Sequence, residues 1–304
     1  MTNKPKDMAA SVQARLNNLA RDQGRTYQEL LQYYAIERFL YRLSQSPYRN
    51  RFALKGGVVF FAWGIPLRRP TRDIDLHGRL PDDVAQIEEI IKSVCLQNVI
   101  SDGMVFDENS IQSEVIQGGI EQAGARIRFI GYLGSTRISM RIDIGFADIV
   151  VPPAIELNYP SLLDMPEPNL SAYTYETVIA EKFQAMVFLG TINSRMKDFH
   201  DIWLLSTTTN IDGSSLYDAI VTTFKSRGTK IPHETPIALT PTFALSKQRD
   251  WQAFINRTNI NDTVPSDFGE VIKQLHDFLM LVLDASQEET GFPVQWSPDK
   301  NSWQ

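Results

Sequence analysis

Between residues 136 and 144 apolar and polar side chains alternate without a break. Ile138, Met140, Ile142 and Ile144 share one face, and Arg137, Ser139, Arg141 and Asp143 share the other. A period of two is the mark of a strand, so this chain must build a sheet. Residues 125–130 alternate in the same way, and Gly134-Ser135 between the two runs predicts a hairpin. Residues 72–77 alternate again, with Asp73 and Asp75 on one side and Ile74 and Leu76 on the other. Phe52-Ala53-Leu54 is a further short apolar stretch suited to a strand.

Helical spacing fills much of the rest. Thr26 and Glu29 form a capping box before Tyr33, Ile36, Phe39, Leu40 and Leu43, and Pro47 ends that helix. Residues 58–63 suit one or two helical turns, stopped by Gly64 and Pro66. Val84, Ile87, Ile91 and Val94 make another apolar stripe. Prolines at 152, 153, 160, 166 and 168 punctuate a stretch that reads as a linker or extended crossover. Beyond it, Thr174 caps a helix carrying Val178, Ile179, Phe183, Met186 and Val187; a second begins near Met196, and a late one covers 268–283. The expected organisation is an α+β chain, with a mixed domain over 1–165 and a mainly helical domain over 166–304.

The chain has 304 residues, 43% hydrophobic and 22% charged, which is an ordinary globular balance. Its one cysteine, Cys95, excludes a disulfide framework and makes thiolate zinc an unsuitable reading. The four histidines are scattered without metal-ligand spacing. No secretory leader is visible, and the longest apolar run, 58–67, is too short to span a bilayer. A cytoplasmic location with no membrane partner is therefore expected. A net charge of -6 provides no global basic field for nucleic acid, so any such contact needs a local patch.

The chemistry centres on Thr71-Arg72-Asp73-Ile74-Asp75. Two carboxylates on one strand face repel each other, and a divalent cation compensates them. Magnesium takes carboxylate, water and phosphate oxygens, so an Asp-x-Asp strand suits a metal-bound triphosphate; a solvated strand end is the plain alternative. Upstream, Lys55-Gly56-Gly57 lies between a strand and a helix, where glycines let backbone amides approach a phosphate. Asp143 is either a third acid for the same cleft or a cross-strand partner of Arg126, Arg128 or Arg141. Lys182 sits at the edge of an apolar stripe, where a lysine either snorkels outward or meets an anion. On a helix Arg195 neighbours Asp198 and Lys197 neighbours Asp201, giving either surface salt bridges or the wall of a cleft.

Taken in order, Lys55-Gly56-Gly57, Thr71 to Asp75, Arg141-Ile142-Asp143, Lys182 and Arg195-Met196-Lys197-Asp198 resemble the AbiEii/AbiGii toxin family of nucleotidyltransferases. The resemblance implies a polymerase-β-type nucleotidyltransferase fold with a helical C-terminal lobe. It implies that Gly56, Gly57 and Thr71 contact phosphates, with Lys55, Arg72 and Arg195 in the nucleotide-binding set. Asp73 and Asp75 would hold Mg2+, joined by Asp143 if that residue is a ligand. Lys182 would contact the nucleoside triphosphate, and Asp198 would serve in the active site. The implied protein is the toxin of a two-gene pair with a separately encoded antitoxin, and the implied acceptor is the 3′ end of tRNA. A local basic patch using Arg68, Arg69, Arg72 and Arg195 would favour RNA. The competing expectations are a protein or small-molecule acceptor, or a nucleotide-binding scaffold without activity.

Overall fold

The computed structural model describes residues 7–65, 70–79, 83–116, 124–146, 149–288 and 291–304. It falls into two compact units, Met1–Ala147 with Ile155–Ala172, and Asp148–Ala154 with Tyr173–Gln304.

The first unit is a sheet with helices. Its elements are α1 (Met8–Gln23), α2 (Tyr27–Gln45), β1 (Phe52–Lys55), α3 (Gly56–Ala62), β2 (Ile74–Gly78), α4 (Val84–Cys95), β3 (Met104–Ile116), β4 (Gly124–Leu133), β5 (Thr136–Gly145), β6 (Ile155–Asn158) and β7 (Asn169–Ala172). The strands run in the order β3-β4-β5-β2-β1-β7-β6. Pairing is antiparallel throughout except at β5 with β2 and at β1 with β7. The expected hairpin is present, with β4 and β5 joined through Gly134 at a left-handed φ of 59°. The proline-punctuated stretch is more structured than a linker, because it contributes β6 and β7. Each is only four residues long, so alternation has no room to register between the prolines.

One face of the sheet is apolar and carries the core. Ile138, Met140, Ile142 and Ile144 of β5 are buried, as are Ile127 and Phe129 of β4. From α2, Phe39 packs on Phe106 and Phe129 with ring centroids 5.7 Å and 5.2 Å away. Burying such a side chain stabilises the fold by about 1.5–3 kcal/mol. From α4, Ile87, Ile91 and Val94 are fully buried. The N-cap half of the capping box is present, with the Glu29 N–H donating to Thr26 Oγ1 at 3.2 Å, while the Glu29 carboxylate accepts from Arg25 and Tyr33. The same helix also carries a charge inward: Arg42 pairs with Asp102 at 2.7 Å, both side chains being buried. α1 gave no clear sequence signal, since only Val12, Leu16 and Ala20 of its sixteen residues are buried.

The second unit is mainly helical: α5 (Tyr175–Leu189), α6 (Met196–Thr208), β8 (Ile211–Asp212), α7 (Gly213–Ser226), α8 (Pro241–Thr258), α9 (Phe268–Glu288), β9 (Gln295–Ser297) and β10 (Ser302–Trp303). The three short strands form a small sheet of order β10-β9-β8. Aromatic side chains organise the interior. Trp251 of α8 stacks on Phe268 at 5.1 Å, and Phe199 of α6 meets Phe268 edge-on at 5.3 Å. The buried Trp296 indole N–H donates to the Ser206 carbonyl at 2.6 Å, so its polar atom is satisfied. Among the described residues, no helix is long and apolar enough to cross a membrane.

Candidate functional site

The Asp-x-Asp segment enters and begins β2, a central strand flanked by β1 and β5. Asp75 lies opposite Lys55 of β1 on one side and Asp143 of β5 on the other. At the end of β1 the chain turns through Gly56, whose φ is 63°. A Cβ at Gly56 would fall 2.1 Å from Asp75 Oδ2 and 2.7 Å from its Cγ. The Asp75 carboxylate therefore rests directly on the Gly56 backbone, and two requirements coincide on that one residue: a left-handed backbone and a bare Cα. Gly57 follows, buried in the first turn of α3.

Thr71 precedes this strand and is 7% exposed. Its N–H donates to the Tyr33 hydroxyl at 3.3 Å. Its own Oγ1 is buried and has no hydrogen-bond partner among the described residues. Burying a hydroxyl unpaired is unfavourable by about 1–3 kcal/mol, so the orphan marks a place where a ligand oxygen fits. Asp73, with its side chain 38% exposed, stands 3.3 Å from the Arg141 guanidinium. Arg72 is exposed, and its carbonyl accepts from Gln32 Nε2 at 3.3 Å. Arg68 and Arg69 lie outside the described residues.

Asp143 is gripped by two arginines. Arg126 reaches both of its oxygens, at 2.8 Å and 2.9 Å, and Arg141 binds at 2.9 Å and 3.3 Å. Burial alone pushes this carboxyl up, but hydrogen bonds from Arg126 and Arg141 and their charges outweigh burial, and its pKa falls below the ordinary aspartate range. Of the two sequence readings for Asp143, the cross-strand ion pair is the one the geometry displays.

The second unit holds a different charged cluster. Lys182 of α5 donates to Asp198 Oδ1 at 2.8 Å and lies 2.9 Å from Asp201 Oδ2, both on α6. Arg195, at the N-terminal boundary of α6, binds the other Asp198 oxygen at 2.6 Å. His200 Nδ1 is 3.0 Å from Asp201 Oδ1. Asp198 and Asp201 are fully buried. Lys182 thus does not snorkel; it meets two carboxylates of its own chain. Nor are these surface bridges: Asp201 is held by Lys182 from another helix. For Asp198, burial pushes the pKa up, but the positive charges of Lys182, Arg195 and Lys197 prevail and hold it below the usual value.

The structure therefore sets Lys55, Asp75 and Asp143 side by side on one sheet, with Gly56, Thr71 and Asp73 in the segments that adjoin its strands, and gathers Lys182, Arg195 and Asp198 into one helical cluster. Asp201, read from the sequence as a neighbour of Lys197, joins that cluster through Lys182, and His200 joins it through Asp201. The spacing allows this, because Asp198 and Asp201 are three apart and share a helix face. Among the described residues, no three His, Cys, Asp or Glu side chains are placed to form a metal cage made of protein alone. Two carboxylates in the segment that enters one strand still have the chemistry for magnesium, which binds through one or two carboxylates together with substrate phosphates.

An aspartate pair floored by a glycine turn, on a mixed sheet, is the arrangement of a nucleotidyltransferase. The chain belongs to the AbiEii family: the family model described as nucleotidyl transferase AbiEii toxin, Type IV TA system, matches residues 38–274. It is accordingly a nucleotidyl-transfer toxin of a toxin-antitoxin system, with a nucleotide as substrate and an antitoxin as partner. Among solved structures, a candidate nucleotidyltransferase from H. pylori is similar at 12% identity, with 88% of this chain and 100% of that chain covered and a TM-score of 0.44. JHP933 from Helicobacter pylori is similar at 12% identity, with 87% and 96% covered and a TM-score of 0.45. No curated protein matches the chain.

Proposed function

We propose that this toxin transfers a nucleotide from a nucleoside triphosphate, with magnesium, to the 3′ end of tRNA in the cytoplasm, and so blocks translation. The observation that carries the reading is the placement of Asp75 on the bare Gly56 backbone, with Asp73 two residues before it and the orphan Thr71 hydroxyl two residues before that. Asp73 and Asp75 would hold the metal. Bound magnesium supplies charge neutralisation for the triphosphate and for the departing pyrophosphate.

The residues of the chain do the rest. Thr71 Oγ1 can donate to a phosphate oxygen, which would satisfy it. Gly56 and Gly57 leave the backbone open to phosphate, with Lys55 and Arg72 as nearby positive charges. A terminal acceptor hydroxyl attacks the α-phosphorus; the bond to the bridging oxygen breaks, pyrophosphate leaves and the hydroxyl proton is released. Positioning and electrostatics dominate such transfers. Lys182 and Arg195 are proposed to serve nucleotide binding in the second unit. Asp198, held ionised by its cations, then acts as their anchor, since a carboxylate with depressed proton affinity is a weak base.

The test is label transfer from an α-labelled triphosphate into total cell extract. Asp73→Ala abolishes it, and transfer at the wild-type rate overturns the assignment. RNase treatment should remove the labelled product. A label that survives RNase places the acceptor among proteins or small molecules instead.

A further inference from the structure

The polar face of the β4–β5 hairpin carries four arginines that the transfer reaction above leaves without a task. Arg126 and Arg128 of β4 and Arg137 and Arg141 of β5 sit at alternate positions, so all four project from the face opposite the buried Ile127, Phe129, Ile138, Met140 and Ile142. Register sets Arg128 opposite Arg141, and Tyr132 opposite Arg137. Because β5 lies in register beside β2, with Asp143 opposite Asp75, the arginines extend directly from the aspartate pair along the hairpin. The apolar side of the same strands is packed by α2, which leaves the arginine side clear of that helix.

We propose that this arginine face seats the phosphate backbone of the RNA acceptor, a proposal that rests on RNA being the acceptor. Charge favours a polyanion. In a chain of net charge -6, four guanidiniums here face three carboxylates among the described residues, Glu114, Asp143 and Asp73, which leaves a local excess of positive charge centred on Arg128 and Arg137. Glu114 is shared between Arg126 and Arg128, and Asp143 between Arg126 and Arg141. Arg137 is exposed and has no carboxylate partner among the described residues. The Arg128 and Arg141 side chains are 48% and 38% exposed. An exposed ion pair such as Arg128 with Glu114 is worth about 0–1 kcal/mol, so a phosphate can compete for Arg128 and can take Arg137, while Arg126 and Arg141 stay on Asp143.

Chemistry selects the same occupant. Guanidinium presents a planar fork of donors that matches phosphate and also stacks on bases, and Tyr132 adds an aromatic plane of the sort that receives unstacked RNA bases. Strand rise separates Arg137 from Arg141 by about 13 Å, a reach that spans several nucleotides. The face therefore guides a strand toward Asp73 and Asp75, while those two acids perform the transfer. This is the local patch that the acidic chain requires. It lies on the hairpin, whereas Arg195 of the expected patch belongs to the second unit and pairs with Asp198.

The experiment uses the full chain with Arg128→Ala and Arg137→Ala combined. Neither residue touches Asp143, and both are exposed, so the variant should melt with the wild type. Binding of fluorescein-labelled tRNA is followed by anisotropy across a salt series. The double variant should bind at least tenfold more weakly. The slope of log K against log salt should fall by about 1.4–1.8, the value for two lost phosphate contacts. Arg128→Lys with Arg137→Lys keeps the charges and should keep most of the slope. If the alanine variant binds tRNA with wild-type affinity and slope, the face is not the RNA seat. If it loses only antitoxin binding, the face belongs to a protein and the proposal is likewise overturned. Failure of the RNA-acceptor reading looks different: the wild type itself does not bind tRNA, and its labelled product survives RNase.

Discussion

Each unit of this protein places two aspartates close together, and the two pairs live under opposite conditions. Asp73 and Asp75 stand at a strand, partly exposed, with the second acid against a glycine backbone. Asp198 and Asp201 lie on a helix, fully buried, with Lys182 shared between them. The first pair can accept a cation from outside. The second has already found its cations in the chain and is needed to keep them in place. On the proposed reading, similar residues at similar spacing serve ligand capture in one unit and internal charge balance in the other, and burial separates them.

Substitutions should separate the two pairs sharply. The largest effect is on transfer: Asp73→Ala should leave label transfer below detection while changing unfolding free energy by less than about 1 kcal/mol, since its pairing with Arg141 is exposed. Asp198→Ala should do the reverse to the fold. It removes the buried carboxylate that Lys182 and Arg195 share, leaving Lys182 on Asp201, and breaking a buried pair from one side is unfavourable by about 3–5 kcal/mol. Urea titration of both variants checks the contrast. Equal destabilisation would erase the distinction between a capturing pair and a balancing pair.

The glycine beneath Asp75 sharpens the comparison one step further. Gly24 and Gly56 share a φ of 63°, yet a Cβ at Gly24 meets nothing within 4 Å, while at Gly56 it strikes the Asp75 carboxylate. Alanine at either position should destabilise by about 1–2 kcal/mol through the left-handed backbone. Only Gly56→Ala should also reduce transfer, by about a hundredfold, the scale of loss that a misplacement of about 1 Å produces. If both variants retain full activity, close packing of Asp75 on the Gly56 backbone is not required.

The same contrast explains what could be read in the sequence. Alternation over 136–144 and 72–77 made β5 and β2 legible, and the tripeptide at 55–57 announced the turn, because these signals are local. The partner of Asp143 was legible only as a pair of alternatives, since register between strands decides it. Lys182 with Asp201 was not legible. An i, i+3 pair of charges looks the same on a surface helix as on a buried one, and the lysine that claims Asp201 arrives from another helix. Arg42 with Asp102 escaped for the same reason, being 60 residues apart in the chain. Strands β6 and β7 were lost to prolines and shortness, and α1 to its thin apolar stripe.

The smallest expected effect is on acid stability, and it again divides buried from exposed acids. Asp198 has its pKa lowered in the folded protein from a usual value of 3.8: burial opposes ionisation, but Lys182, Arg195 and Lys197 more than compensate. A carboxyl depressed by folding contributes stability that is complete above its unfolded pKa and is lost as pH falls through its folded pKa. The window therefore lies below about pH 4. Asp198→Asn removes the ionisable group, so the variant should already lack this contribution at neutral pH and have little more to lose in acid. Urea unfolding at pH 7 and at pH 3 should show the gap between wild type and variant narrowing in acid. A gap of the same size at both values would mean that Asp198 contributes through shape and hydrogen bonding alone, and that the buried pair is not a charge anchor.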